Sequence, residues 1–174
     1  AIALKPKSGI LAISNFEFRI SNFTVIDPYN GQDDLKNKIV RAVGNANERF
    51  SEDALRMIRA VRFATTLGFE IEKITLEAIR TNAQKISKIS GERIREELFK
   101  IVASENVDRG MTLLRDTGLL KIFMPELEEC FSVEQVSPKR HHIFDVGTHC
   151  VMSAKFCPSE DVIVRFAAML HDIG

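Results

Sequence analysis

The sequence predicts a mainly helical fold that follows a short β segment, and three observations carry that prediction. Before residue 27 apolar and polar residues alternate, as at Phe16, Phe18 and Ile20, which is the two-residue period of a strand. The turn formers Asp27-Pro28-Tyr29-Asn30-Gly31 then break the pattern. Beyond them apolar residues recur at helical spacing almost to the end, punctuated by cap residues and glycines.

Taken in order, Ala1–Leu4 is an apolar strand, Pro6-Lys7-Ser8-Gly9 is a turn, and the alternating stretch reaches Ile26. Everything after the Asp27–Gly31 turn cluster reads as helix. Ser51 is an expected N-cap for a helix through Leu67, with Glu52 and Asp53 in its first turn complementing the helix dipole. Gly68 supplies the stop. Further helices are expected over Ile74–Ile86, Gly91–Ser104 and Val107–Thr117, the last closed by Gly118. Pro125 and Pro138 mark a connector, and helices over Phe144–Cys157 and Asp161–His171 complete the chain. Phe63, Leu67, Phe69, Leu98, Phe99, Ile101, Leu113 and Leu114 are the expected core.

Composition narrows the class. The 174 residues are 45% hydrophobic and 28% charged, ordinary for one or two globular domains. Twenty-four basic residues balance 24 acidic ones, so a nucleic-acid surface would have to come from local clustering. Three sparse cysteines (Cys130, Cys150 and Cys157) point to reduced thiols and the cytoplasm rather than to a disulfide scaffold. No apolar run approaches the ~20 residues of a membrane helix. Both ends read as cuts within a longer protein.

The most informative stretch runs from Ser51 to Phe63. Asp53, Arg56 and Arg59 recur by threes along one side of the expected helix, with Arg62 a little further round, while Leu55, Ile58 and Val61 can bury the other side. Spacing alone also fits a solvated face of ion pairs contributing a few tenths of a kcal/mol. Three arginines in a row exceed what solubility needs and suit phosphates or a base edge. An ionised Asp only accepts hydrogen bonds and an Arg only donates them. Side by side they match the amine and ring nitrogen of cytosine or adenine, and mismatch uracil and guanine.

Glu52-Asp53-x-x-Arg56-x-x-Arg59-Ala60-x-Arg62-Phe63 resembles the neck motif of class II tRNA nucleotidyltransferases (CCA-adding enzymes) and bacterial poly(A) polymerases. Asp27 through Leu35 is similar to that family's link between head and neck. Gly91-Glu92-Arg93-Ile94-x-x-Glu97-Leu98 resembles its next neck motif. The resemblance implies a C-terminal remnant of an α/β nucleotidyltransferase head with its linker (1–35), a helical neck (36–105) and a body (106–138). Asp53 and Arg56 would template CTP and ATP, Arg59 and Arg62 would help bind the nucleotide, and Glu52 and Arg93 would support them. The implied enzyme adds CCA to tRNA with Mg2+ held by a head domain, through a Gly-Gly turn and an Asp-x-Asp pair that this sequence lacks. This segment alone should therefore be inactive. Asp33-Asp34 is read as structural, and Ile10–Thr24 is longer than the hairpin usual at that point. Lys36, Lys38, Arg41 and Arg49 suit either tRNA phosphates or a solvated face.

Arg140 through His149 and Leu170 through Gly174 together look like the start of an HD domain (139–174). His171, Asp172 and His149 would be part of a divalent-metal site completed by residues further downstream. Three alternatives stand beside the CCA reading: a poly(A) polymerase, an HD-type metal-dependent phosphohydrolase, and a non-catalytic RNA-binding module.

Overall fold

The computed structural model describes residues 3–6, 23–133 and 145–173. Strands β1 (Ala3–Pro6) and β2 (Phe23–Ile26) pair antiparallel, with Ala3 opposite Ile26 and Pro6 opposite Phe23. The turn at Pro6–Gly9, the alternation at Phe16, Phe18 and Ile20, and the long Ile10–Thr24 stretch fall largely outside the described residues, as does the Arg140–Phe144 stretch. Asp27 then redirects the chain. Its two carboxylate oxygens accept from the N–H groups of Gly31 and Gln32 at 2.7 and 2.8 Å, covering two open donors at the start of α1 (Gly31–Lys36).

The helical expectation holds beyond this point in outline, with several corrections. The first is a parallel pair, β3 (Ile39–Val40) beside β4 (Glu70–Ile71). A two-residue ladder between segments so distant in the chain leaves no local pattern to read.

The second correction is a break in the helix expected from Ser51 to Leu67. It is instead α2 (Ala46–Glu52) and α3 (Leu55–Leu67), separated at Asp53, whose φ of −148° and ψ of 105° are extended. Ser51 caps nothing, because its hydroxyl donates to the Asn47 carbonyl at 2.7 Å inside α2. Asn45 caps α2. The Asp53 carboxylate accepts from the Leu55 N–H at 3.1 Å, a local side-chain bond that competes with continuing the helix.

Met57, Ile58, Val61 and Ala64 of α3 are fully buried. Phe63 and Leu67, expected in the core, are 37% and 53% exposed. They lie about five residues from Ile58 and Val61, which at 100° per residue puts them round on the other side of the helix. Gly68 ends α3 at φ 66°, a left-handed conformation that costs glycine little.

Next come α4 (Lys73–Asn82), which tightens into a 3-10 stretch over Ala83–Lys88, then α5 (Gly91–Val102) and α6 (Val107–Asp116). Short helices α7 (Leu120–Phe123) and α8 (Pro125–Cys130) follow. Pro125 thus opens a helix rather than marking a connector. Its missing N–H is no loss at a first helical position. Finally, α9 (Val146–Phe156) and α10 (Val162–Leu170) are capped by Asp145 and Asp161.

One hydrophobic cluster runs from Ala46 to Met169. In it α3 packs on α5 and α6, while α9 packs on α6, α8 and α10. Two polar clamps fasten α9 and α10 to the rest. Lys155 meets Asp108 at 2.6 Å, and Arg165 donates to the carbonyls of Ala103 and Ser104 at 3.1 Å each. No helix among the described residues is long and apolar enough to cross a membrane.

Candidate nucleotide-selecting site

The break at Asp53 brings the ends of α2 and α3 together and concentrates their charges. Glu52, the last residue of α2, receives Arg56 Nη1 at 2.6 Å and Arg49 Nη1 at 3.1 Å on Oε2. Hydrogen bonding from Arg56 first, then from Arg49, holds the Glu52 carboxyl below the ordinary carboxylate range. Arg56 Nη1 also donates to the Arg49 carbonyl at 3.1 Å.

Asp53 is held separately. Its Oδ2 accepts from Arg93 Nη2 of α5 at 3.0 Å, beyond the Leu55 bond on Oδ1. Partial burial works to raise its pKa, but the Leu55 N–H, Arg93 and Arg56 outweigh that and lower it. Asp53 is therefore an anion with fixed oxygens.

Arg56 and Arg59 line an open cavity of about 370 Å³, together with Arg41, Arg49, Phe50 and Phe63. A larger groove of about 680 Å³ adjoins it, sharing Val40 through Val43 and Phe63. Arg41 is paired with Asp34 of α1 and with Glu72, and Arg49 and Arg56 share the single carboxylate of Glu52. Arg59 is exposed, with no ion pair among the described residues. The cavity wall is cationic, with an apolar floor from Phe50, Ala60 and Phe63. That combination suits a base and its phosphates.

Of the sequence-predicted set, Arg56 and Arg59 meet at the cavity, while Asp53 and Arg93 pair with each other at the helix break and are not among the residues that line it. Arg62 goes elsewhere. Its Nε lies 2.7 Å from Glu97 Oε2 of α5, with side chains only 16% and 6% exposed, and its guanidinium stacks 3.8 Å above the Phe63 ring. The Glu97 approach is off the hydrogen-bond direction, so the attraction is Coulombic. Sequence reasoning had Glu97 in a motif but missed its pairing with Arg62, and it missed the cavity role of Arg49. The latter's spacing of three to Glu52 and seven to Arg56 was the available signal.

A second cluster lies at the start of α9 and the end of α10. His149 Nε2 and His171 Nε2 are 3.3 Å apart, and Asp172 Oδ2 and Oδ1 lie 3.5 and 3.4 Å from them. His171 Nδ1 lies 2.8 Å from the Ala168 carbonyl, which can only accept, so Nδ1 donates there and Nε2 is the nitrogen turned toward His149 and Asp172. These three donors lie within 4.8 Å of one another and could hold a metal ion.

Comparison with known proteins places the chain in a family. Residues 68–131 match the family described as the probable RNA and SrmB-binding site of polymerase A. A multifunctional CCA protein of Vibrio cholerae serotype O1 (strain M66-2) is 37% identical over 157 residues, covering 86% of this chain and 38% of that protein. The chain belongs to the class II CCA-adding enzyme and poly(A) polymerase family. Another family member, the multifunctional CCA protein of Acinetobacter baumannii (strain AYE), is 38% identical over the same length. The chain thus spans about two fifths of the curated family members it matches. Among solved structures, the Bacillus stearothermophilus CCA-adding enzyme in complex with CTP is 44% identical, with a TM-score of 0.54 over 56% of this chain and 25% of that one. A tRNA-processing enzyme with CTP shares the fold at TM-score 0.61 and 16% identity, covering 89% of this chain and 42% of that one.

Proposed function

We propose that this segment is the base-selecting part of a tRNA nucleotidyltransferase that adds C, C and A to the 3′ end of tRNA from CTP and ATP. The observation that carries the reading is the pair at the α2–α3 break. Asp53, an acceptor-only anion held by Arg93, adjoins Arg56, a donor-only cation that Glu52 holds and that lines the arginine-rich cavity. Their partners leave Arg56 Nη2 and Nε, and lone pairs on both Asp53 oxygens, for a base edge.

In this reading Asp53 accepts the exocyclic amine of C or A and Arg56 donates to the adjacent ring nitrogen. A carbonyl facing Asp53 and an N–H facing Arg56 exclude U and G. Arg59, with its charge uncompensated, holds the phosphates, and Arg62 steadies this face through Glu97 and Phe63. Glu52 orients Arg56 and Arg93 orients Asp53. The division into head remnant and linker (1–35), neck (36–105), body (106–138) and HD start (139–174) belongs to the same reading, as does a cytoplasmic location.

Family chemistry calls for Mg2+, and the residues here do not fit it. The close acidic pair of the linker is Asp33-Asp34, and Asp34 is already bound by the Arg41 guanidinium. No phosphoryl-transfer step is assigned to this chain. The names of the relatives favour CCA addition over poly(A) addition.

The test is incorporation by the gene's full product on tRNA lacking CCA, with each of the four nucleoside triphosphates supplied singly and together. Ordered C, C, A addition that loses base discrimination by about 100-fold in Asp53→Ala and Arg56→Ala supports the reading. Addition of A alone would move the protein to the poly(A) branch.

The His149, His171 and Asp172 cluster favours a second activity, HD-type metal-dependent phosphohydrolysis. The three donors fit a borderline divalent ion, with Nε2 of each imidazole and a carboxylate oxygen as ligands. Such an ion would supply an activated water for phosphate-ester hydrolysis. Manganese or nickel binding in calorimetry that disappears in His171→Ala supports this, and unchanged binding sinks it.

A further inference from the structure

Arg49 is the residue on which both members of the base-selecting pair converge. Its backbone carbonyl accepts the Asp53 N–H at 3.3 Å and Arg56 Nη1 at 3.1 Å. Its side chain works in two directions. Nε donates to the Val43 carbonyl at 3.2 Å, tying α2 to the segment after β3 that walls the cavity. Nη1 donates to both Glu52 oxygens at 3.2 and 3.1 Å, the same carboxylate that grips Arg56.

We infer that Arg49 is a specificity-determining positioning residue for nucleotide selection, acting through Glu52 on the Arg56 guanidinium and through Val43 on the cavity wall. The inference rests on the base-selecting reading above and adds to it a residue that reading leaves out.

The physical argument turns on how freely an arginine can rotate. Arg56 is 42% exposed and has a long side chain, so a single exposed contact would hold it weakly. Discrimination between bases needs the guanidinium edge fixed to within a fraction of an ångström, because a mispaired base is rejected only if the donor cannot swing away. Glu52 alone could follow Arg56 as it swings. Arg49 prevents this by anchoring Glu52 to the Val43 carbonyl, a fixed backbone atom on a different element. The chain of contacts Val43–Arg49–Glu52–Arg56 therefore ties the selecting edge to the cavity wall.

The geometry also sets apart the roles of charge and shape. Arg49 presents two N–H groups at a wide angle, one to a carbonyl and one to a carboxylate. A lysine in its place keeps the charge but brings a single ammonium that cannot serve both. Charge alone is therefore insufficient, and this makes the role testable apart from general electrostatics.

The experiment compares Arg49→Gln, Arg49→Lys and Arg56→Ala in the gene's full product, measuring kcat and KM for CTP against UTP and for ATP against GTP, beside the thermal midpoint. Losing charge-assisted positioning should cut the CTP-over-UTP ratio by about 10-fold in both Arg49 variants. The loss should come chiefly from easier incorporation of the wrong base, with the midpoint little changed. Each Arg49 variant combined with Arg56→Ala should then add little to Arg56→Ala alone. A discrimination ratio retained in Arg49→Lys, or a uniform fall in kcat for all four nucleotides, overturns the inference. If Arg56→Ala itself leaves discrimination intact, the base-selecting reading falls first, so the two failures are distinguishable.

Discussion

The arginine site at the α2–α3 break and the histidine cluster at the start of α9 and end of α10 each gather polar side chains, yet they are held in different ways. At the break, Asp53, Arg56 and Glu52 are gripped by partners on other elements: Arg93 on α5, Val43 after β3 through Arg49, and the carbonyl end of α2. In the second cluster His149, His171 and Asp172 meet one another, and His171 Nδ1 also reaches the Ala168 carbonyl of its own helix. The first arrangement is organised before any ligand arrives. The second brings lone pairs together, an arrangement that a cation would complete. The difference is between a site that reads shape and a site that waits for charge.

Three substitutions or conditions sharpen that contrast, from the largest expected effect to the smallest. Glu97→Ala strands Arg62 between α3 and α5 without its carboxylate. Breaking a buried pair by removing one partner costs about 3 kcal/mol, so chemical denaturation should show a large loss of stability and α3 should lose its register on α5. Glu97→Gln should cost less. Equal stability in Glu97→Ala and the parent would show that the pair is idle.

Next come two glycines that permit close packing, Gly110 where α6 meets the ends of α3 and α5, and Gly147 at the start of α9 by the histidine cluster. A Cβ at Gly110 would meet Ile101 Cγ2 at 2.5 Å and Thr65 Oγ1 at 2.8 Å, and one at Gly147 would meet the Phe131 ring at 2.5 Å. Both alanine variants are expected to destabilise by about 1–3 kcal/mol from overpacking. Gly110→Ala should be the worse, since its neighbours Thr65 and Ile101 are themselves fully buried while Phe131 is only half-buried. Thermal melts of the two variants read this directly, and the reverse order would place the tighter packing beside the histidines.

The smallest effect concerns pH. Because the folded pKa of Asp53 is lowered, the stability from its Leu55 and Arg93 contacts is present above the ordinary aspartate value and is lost as pH falls through the lowered one. The stability difference between the parent and Asp53→Asn should therefore be flat from about pH 5 to 8 and shrink below about pH 4. A difference that changes between pH 6 and 8 would assign the dependence to another group.

Much of the helical order was legible from local signals. Gly68 and Gly118 end α3 and α6 in left-handed conformations, and Asp161 caps α10 where the helix was expected to begin. The break at Asp53 was not legible, because it depends on whether the Asp53 side chain bonds its own downstream N–H rather than facing solvent. Nor was the β3–β4 pair, which only the folded chain brings together. At the candidate site, the spacing of Arg56 and Arg59 correctly put them on one helix face. It could not show that Arg62 would be drawn to Glu97, since that contact is made across α3 and α5. It also could not show the hub at Arg49, half of which is a backbone carbonyl and carries no residue identity at all. Local chemistry writes caps and faces into the sequence, whereas partners that meet across elements appear only with the fold.

Arg165 has a consequence for how the molecule comes apart. By binding the Ala103 and Ser104 carbonyls just past the end of α5, it should couple the unravelling of α10 to the fraying of α5. Since the opposite end of α5 carries Arg93 and its grip on Asp53, heat that loosens the C-terminal helices reaches the α2–α3 break through one shared rod. Amide exchange along α5 and α10 should then proceed at a common rate, as one cooperative opening unit.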